Sequence, residues 1–169
     1  MSDEAQRTPS PEESDERAVE SVRSFLRERN FPVEIVTSRD TIFTVEDASK
    51  AVGAPSEHIL KSLVLLADDR PVLALMSGVN KVDVKKVRRA TGAKKVRMAT
   101  PEYVFQWSGF KIGGVPPVGY PEKVPALLDD DLFLYPIVWS AAGTDHTFFP
   151  ISPGELARIT EGERCEIKK

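Results

Sequence analysis

Cysteine is nearly missing: the 169 residues hold one, Cys165. A single thiol excludes an intramolecular disulfide and a cysteine-based zinc cluster. Its charged sequence neighbours give no sign of an activated nucleophile. Histidine is as scarce, with only His58 and His146. So far apart, and with no acidic spacing to support them, they make no metal site, and no metal is expected. Long apolar runs are missing too. The longest stretch without Asp, Glu, Lys, Arg or His is Leu132–Thr144, 13 residues, against about 20 for a spanning helix. No membrane partner is therefore expected. The opening residues are acidic and polar and lack an apolar signal core, so a reducing, cytoplasmic setting is expected. Cofactor signatures are also lacking. There is no glycine-rich loop ending in Lys-Ser/Thr, no GxGxxG, no HExxH, and no serine in a G-x-S-x-G turn. No cofactor is expected.

What remains is an ordinary soluble composition, 41% hydrophobic and 29% charged, long enough for one domain with its own core. The charge is unevenly placed. Residues 1–17 hold six acidic and two basic side chains, leaving a slight positive excess on the rest of a chain whose net charge is −3. With no large apolar residue after Met1, residues 1–16 read as a disordered acidic tail and 17–169 as the folded domain. The opposite charge gathers at 81–97, where Lys81, Lys85, Lys86, Arg88, Arg89, Lys94, Lys95 and Arg97 face Asp83 alone. Val82, Val84, Val87 and Ala90 recur with helical spacing beneath them. Such a run is either a solvated helix face or a phosphate-backbone footprint.

Periodicity and punctuation predict the elements. Ala18, Val22, Phe25 and Leu26 mark a helix over Arg17–Arg29. Val33–Thr37 reads as a short strand, and Thr44 with Asp47 as the cap of a short helix closed by Gly53. Ile59–Ala67 and Pro71–Met76 form a hairpin around Asp68-Asp69. The basic helix ends at Gly92, and Lys94–Arg97 is a strand. Thr100-Pro101 starts a helix that ends at Ser108-Gly109. The tract KIGGVPPVGYP must be loop. Leu132–Ser140 and His146–Ile151 read as strands, Ser152-Pro153 as the start of a helix through Ile159, and Arg164–Ile167 as a last strand. Interspersed strands and helices indicate α/β or α+β with a mixed sheet.

Three features can carry chemistry. Lys61 lies inside the apolar strand ILKSLVLLA, where an ammonium must find an anion or reach solvent. It is either a snorkelling lysine or a cation at a pocket mouth. The Gly113-Gly114-Val115-Pro116-Pro117 loop is either a plain connection or a stiffened loop that aims N–H groups at an oxyanion. Gly143-Thr144-Asp145-His146 is either a hairpin turn or the rim of a site.

In this order, these features resemble a family of aminoacyl-tRNA deacylases. They are related to YbaK, ProX and the editing domain inserted in bacterial prolyl-tRNA synthetases. The resemblance spans about residues 45–167 and rests on HILKSLVLLA, SGVNKVDVKKVRRATGAKKVRMATPEYV, the G-x-x-x-P loop Gly113–Pro117, and SAAGTDHTFFPISPGEL. It implies a single α/β (α+β) domain with a mixed, largely antiparallel sheet, surrounding helices and a small pocket. It also implies a metal-free, trans-editing hydrolase that removes a wrong amino acid from tRNA, typically tRNA(Pro). Carried across, Lys61 matches the pocket lysine expected at the tRNA 3′ end. Gly113, Gly114, Val115, Pro116 and Pro117 match the loop that holds the aminoacyl end through its backbone. His146, with Gly143 beside it, matches a position where relatives often carry a histidine that tunes substrate choice. The family loop often carries Ser where Pro116 stands.

Such chemistry suits this composition. An aminoacyl ester is already labile, so positioning it and stabilising one oxyanion suffices without a covalent nucleophile. Lys61, Gly113 and Gly114 are then the catalytic candidates. Val115, Pro116, Pro117, Gly143 and His146 are substrate contacts. Lys81, Lys85, Lys86, Arg88 and Arg89 are tRNA contacts. The expected partner is tRNA, with an aminoacyl-tRNA synthetase second. The alternatives are a non-catalytic tRNA- or synthetase-binding module on the same fold, and a small-molecule-binding domain.

Overall fold

The computed structural model describes residues 8–169. The expectation of disorder falls outside them for residues 1–7. From Pro11 that expectation is corrected, because helix α1 spans Pro11–Glu28 and starts ahead of Arg17. Ser10 accepts from the Glu13 amide at 3.2 Å, and Pro11 takes the first turn. Glu12 and Glu13 sit at the positive end of the helix dipole. The acidic run is thus a helix start. Ala18, Val22 and Leu26 form the buried stripe.

The main sheet has five strands in the order β4 (Val96–Met98), β2 (Leu60–Ala67), β3 (Arg70–Ser77), β5 (Ala126–Asp129) and β8 (Glu163–Cys165). β2 pairs antiparallel with β3 and β4, whereas β3–β5 and β5–β8 run parallel. A second, antiparallel sheet orders β1 (Val36–Thr37), β7 (Thr147–Ile151) and β6 (Val138–Ala141). The fold is therefore mixed and largely antiparallel, as expected. The β2–β3 hairpin turns on Asp68 and Asp69, both left-handed with φ 48° and 65°, which matches the twist of the strands.

Four short helices complete the chain: α2 (Val45–Val52), α3 (Val84–Thr91), α4 (Pro101–Ser108) and α5 (Pro153–Thr160). Thr44 and Asp47 close a full capping box on α2. Thr100 and Ser152 cap α4 and α5, each with Pro at the first position. Asp83 caps α3. Of the expected stripe on α3, only Val87 is fully buried. Val82 bridges to Lys168 ahead of the helix, and Ala90 is exposed.

The region after the glycine loop departs most from expectation. The stretch 132–140 is not one strand. Asp130–Leu134 is a 3-10 turn, and β6 begins only at Val138. Pro136 interrupts the run, and Leu134 stands 72% exposed. β5 has no counterpart among the expected strands, because four residues buried on both faces show no alternation.

α3 covers one face of the main sheet over Leu65, Val72, Ala74 and Leu127. On the other face Val64, Leu73, Leu75 and Leu128 pack with α1, α4, α5 and the second sheet. β4 reaches only Leu65–Ala67, and Ala99 adds one bond to the Val64 carbonyl. Ile59, just ahead of β2, bridges in parallel to Trp139 of β6, and between that bridge and Val64 no strand pairing with β2 on the β4 side is found among the described residues. No described helix is long and apolar enough to cross a membrane.

Candidate active site

The unpaired edge of β2 opens into a cavity of about 330 Å³, at the small end of ligand pockets, which run about 300–1,000 Å³. Lys61, Ser62 and Leu63 supply one wall. The opposite walls come from the start of α2, from Ala99 and α4, and from Gly113 and Val115 of the glycine loop. Phe43 and Ile112, 84% and 71% exposed, stand at its mouth. The lining is mostly apolar, so the few polar groups in it are informative.

Lys61 is the cation. Its Nζ donates to the Asn80 carbonyl. Burial, and then the neighbouring Lys81 charge, hold its pKa below that of an ordinary lysine. Next to it, the Ser62 hydroxyl is buried. It is the one described side-chain polar atom so buried that finds no hydrogen-bond partner. A buried orphan hydroxyl is uncommon, and the residue that carries it is one of those lining the cavity. Ser62 is not among the residues singled out from the sequence, because a serine in a strand carries no signal by itself.

The glycine loop divides in two. Gly113 and Val115 face the cavity. Gly114, Pro116 and Pro117 are buried behind it. A Cβ on Gly114 would lie 2.6 Å from the Thr144 Cα, so only glycine lets these two backbones meet. Tyr120 donates to the Pro116 carbonyl at 2.7 Å, stacks on Trp107 at 4.9 Å and meets Phe110 edge-on at 5.2 Å. Burial pushes the Tyr120 phenol far above its usual range, so it stays a donor.

The 143–146 turn backs this loop and does not line the cavity. A Cβ on Gly143, which has φ 104°, would lie 2.8 Å from the Ala18 carbonyl oxygen of α1. The Thr144 and Thr147 hydroxyls meet at 2.6 Å. His146 Nδ1 lies 2.9 Å from the Asp145 carboxylate, and its side chain is one-third exposed and absent from the cavity wall. Of the expected site residues, the structure brings Lys61, Gly113 and Val115 together. It places Gly114, Pro116, Pro117, Gly143 and His146 in the supporting layer.

The basic segment also divides. Lys85, Arg88, Lys94, Lys95 and Arg97 line a groove of about 480 Å³ between α3 and β4, with Asp68 and Asp69 at one end. Asp68 accepts from the Lys94 and Lys95 amides, which fixes the turn into β4. Lys86 turns the other way, donating to Glu166 at 2.9 Å and to the Lys168 carbonyl at 2.8 Å. Lys81 and Arg89 are exposed outside the groove. Cys165 is partly buried and its thiol is pushed up to about 11, mainly by that burial. Among the described residues no three His, Cys, Asp or Glu side chains converge to hold a metal.

Comparison with known proteins shows what the chain is similar to. A family model described as the aminoacyl-tRNA editing domain matches residues 40–159. The YwhH protein of Bacillus subtilis, itself uncharacterised, is 30% identical over 144 residues, 85% of this chain and 91% of that one. EbsC of Enterococcus faecalis is provisionally named a Cys-tRNA(Pro)/Cys-tRNA(Cys) deacylase. It is 27% identical over 73% of this chain and 76% of its own length. A crystal structure provisionally described as a trans-editing enzyme for prolyl-tRNA synthetase superposes with a TM-score of 0.85. It is 38% identical over 96% of this chain and 99% of that one.

Proposed function

The chain belongs to the aminoacyl-tRNA editing domain family, and from that premise we propose that it hydrolyses the ester of mischarged aminoacyl-tRNA, a small amino acid on tRNA(Pro) being the intended substrate. The observation that carries this reading is the meeting of Lys61, Ser62 and the Gly113 backbone on one small, mostly apolar cavity. The aminoacyl group enters the cavity. The 3′ adenosine stays at its mouth, where Phe43 and Ile112 stand exposed.

Water adds to the ester carbonyl carbon. The oxyanion that forms is held by the Lys61 ammonium and by amides of the loop other than that of Gly114, which donates to the Lys111 carbonyl at 3.0 Å, in a site dry enough for these charges to count. The carbon–oxygen bond to the ribose then breaks, and the leaving oxygen takes up a proton. Free amino acid and intact tRNA result. No covalent nucleophile is needed. Ser62 has no histidine beside it in the cavity wall to act as its base, and its hydroxyl is closed off from solvent, so no nucleophilic role falls to it. The limited volume excludes large amino acids by size, which succeeds where binding alone cannot separate single methylenes. The groove of Lys85, Arg88, Lys94, Lys95 and Arg97 provides for the tRNA phosphates.

The test is deacylation of Ala-, Cys- and Ser-tRNA(Pro) by the parent protein, Lys61→Ala and Ser62→Ala. The parent hydrolyses at least one of the three. Lys61→Ala loses about 100-fold or more in rate, as removal of an oxyanion donor does, while keeping its fold. Ser62→Ala keeps its stability and its rate, since its hydroxyl has no hydrogen bond to give up and is closed off from solvent. A parent inactive on the whole panel that still binds tRNA is the non-catalytic binding module instead.

A further inference from the structure

The cavity's lysine is held by a carbonyl, and that carbonyl is held by a side-chain chain running away from the cavity. Lys61 has a flexible four-carbon stem, and its Nζ donates to the Asn80 carbonyl. Asn80 sits in the loop between β3 and α3. Its Nδ2 donates to Asp131 Oδ2 at 2.9 Å, and Lys168 Nζ donates to the same oxygen at 2.7 Å. Asp131 lies on the 3-10 turn after β5, 51 residues from Asn80 in sequence.

The backbone around this chain is tied as firmly. Val82 bridges antiparallel to Lys168. The Asp83 amide donates to the Ile167 carbonyl at 2.7 Å, and the Lys169 amide to the Lys81 carbonyl at 2.9 Å. Fully buried Asp129 accepts from the amides of Ile167 and Lys168 at 2.9 and 3.1 Å. Residues 167–169 therefore zip onto the loop that carries Asn80 and pin it to the end of β5.

We propose that Asn80, Asp131 and Lys168 are positioning residues for Lys61, setting where its ammonium stands in the cavity. None of the three lines the cavity, so they act through Lys61 and not on the substrate. This rests on the reading of Lys61 as the cation of the active site. The need for such a device is physical. An ammonium on a four-carbon stem presents a point charge with no geometry of its own, and a misplacement of about 1 Å in such a group can lower the rate about 100-fold. The charge acting on Lys61 is that of the exposed Lys81, next to Asn80; the Asp131–Lys168 ion pair lies beyond Asn80, bonded to its side chain. The lowered pKa of Lys61 agrees with a cation that this scaffold keeps from moving out to solvent.

Three substitutions cut the chain: Asn80→Ala, which is neutral in charge, Asp131→Ala, which removes a negative charge, and Lys168→Met, which removes a positive one. Two measurements read them. The first is deacylation with each variant, alone and combined with Lys61→Ala. Each single variant lowers kcat about 10- to 100-fold, and none lowers the residual rate further once Lys61 is alanine. The second does not depend on activity: titration of the lysine Cε signals by NMR in protein carrying carbon-13 lysine, with Lys61 assigned from Lys61→Arg. Its midpoint moves toward that of an ordinary lysine in all three variants. Arg164→Ala, which breaks the ion pair to neighbouring Asp130, leaves it unmoved and controls for general loosening. Equal rate losses with and without Lys61 would overturn the proposal. So would opposite midpoint shifts in Asp131→Ala and Lys168→Met, which a simple change of electric field produces, or no shift in any variant. A parent that deacylates nothing refutes the proposed reaction, and the NMR titration then decides the positioning by itself.

Discussion

Gly114 and Gly154 show how differently one residue type can be constrained. A Cβ on Gly114 would collide with the Thr144 backbone at 2.6–2.8 Å, and backbone cannot swing aside as a side chain can. Gly154, in the first turn of α5, has nothing within 4 Å and no left-handed φ. Gly154→Ala should therefore stabilise the protein by about 0.4–1 kcal/mol through the unfolded chain. Gly114→Ala should destabilise it by about 1–3 kcal/mol and slow deacylation by moving Gly113 in the cavity wall. Thermal melts of both variants, with deacylation rates, check this. A Gly114→Ala protein of parental stability would remove the close approach from the account of the loop. The glycine-proline loop could be picked out in the sequence, but which of its residues meet solvent and which meet Thr144 could not. That division depends on a partner segment about thirty residues further along the chain.

At the scale of elements, α3 carries two kinds of cation on one short helix. Lys86 is bound to Glu166 and to a backbone carbonyl, so it belongs to the packing of the last residues. Lys85 and Arg88 turn into the groove with Lys94, Lys95 and Arg97. Neutralising Lys85, Arg88 and Lys95 together should weaken tRNA binding and make the salt dependence shallower, by about 0.7 to 0.9 in log–log slope for each phosphate no longer neutralised. Neutralising Lys86 should lower thermal stability and leave the slope alone. Binding isotherms at several salt concentrations, beside melts, separate the two. Identical slopes in parent and triple variant would return the groove to a solvated surface. The cluster of charge was plain in the sequence. Its partition was not, because helical periodicity tells which face Val87 buries but not which strand or terminal segment lies beside each flank.

For the whole molecule, two carboxylates join segments far apart in sequence. Asp131 is held below the ordinary aspartate value of 3.8 by its bond from Lys168 and then by that from Asn80. Asp68 is held below the same value by the Lys95 amide and then the Lys94 amide. A depressed carboxyl contributes its stability in full above its unfolded value and loses it as pH falls through the folded one. Stability should therefore be level from neutrality to about pH 5 and fall below about pH 4, less steeply in Asp131→Asn than in the parent. Denaturant melts across that range test it, and superimposable acid limbs for parent and variant would count against Asp131 as a contributor.

The sequence alone determined most of the local structure. The caps at Thr44, Thr100 and Ser152, the Asp68-Asp69 hairpin and the buried stripe of α1 all rest on interactions within a few residues, and those are written in neighbouring side chains. It also singled out Lys61, since an ammonium inside an apolar strand asks for a reason wherever the strand lies. Only the tertiary structure decided what surrounds that lysine. β4 stops short along β2 and leaves an edge open. That gap gathers Lys61 and Ser62 of one strand with Gly113 of a loop about fifty residues further on, and sends His146 to the supporting layer. Strand lengths, and the packing of chain segments against one another, set such a gap. Neither can be read from a residue's immediate neighbours, so the cavity belongs to the assembled fold.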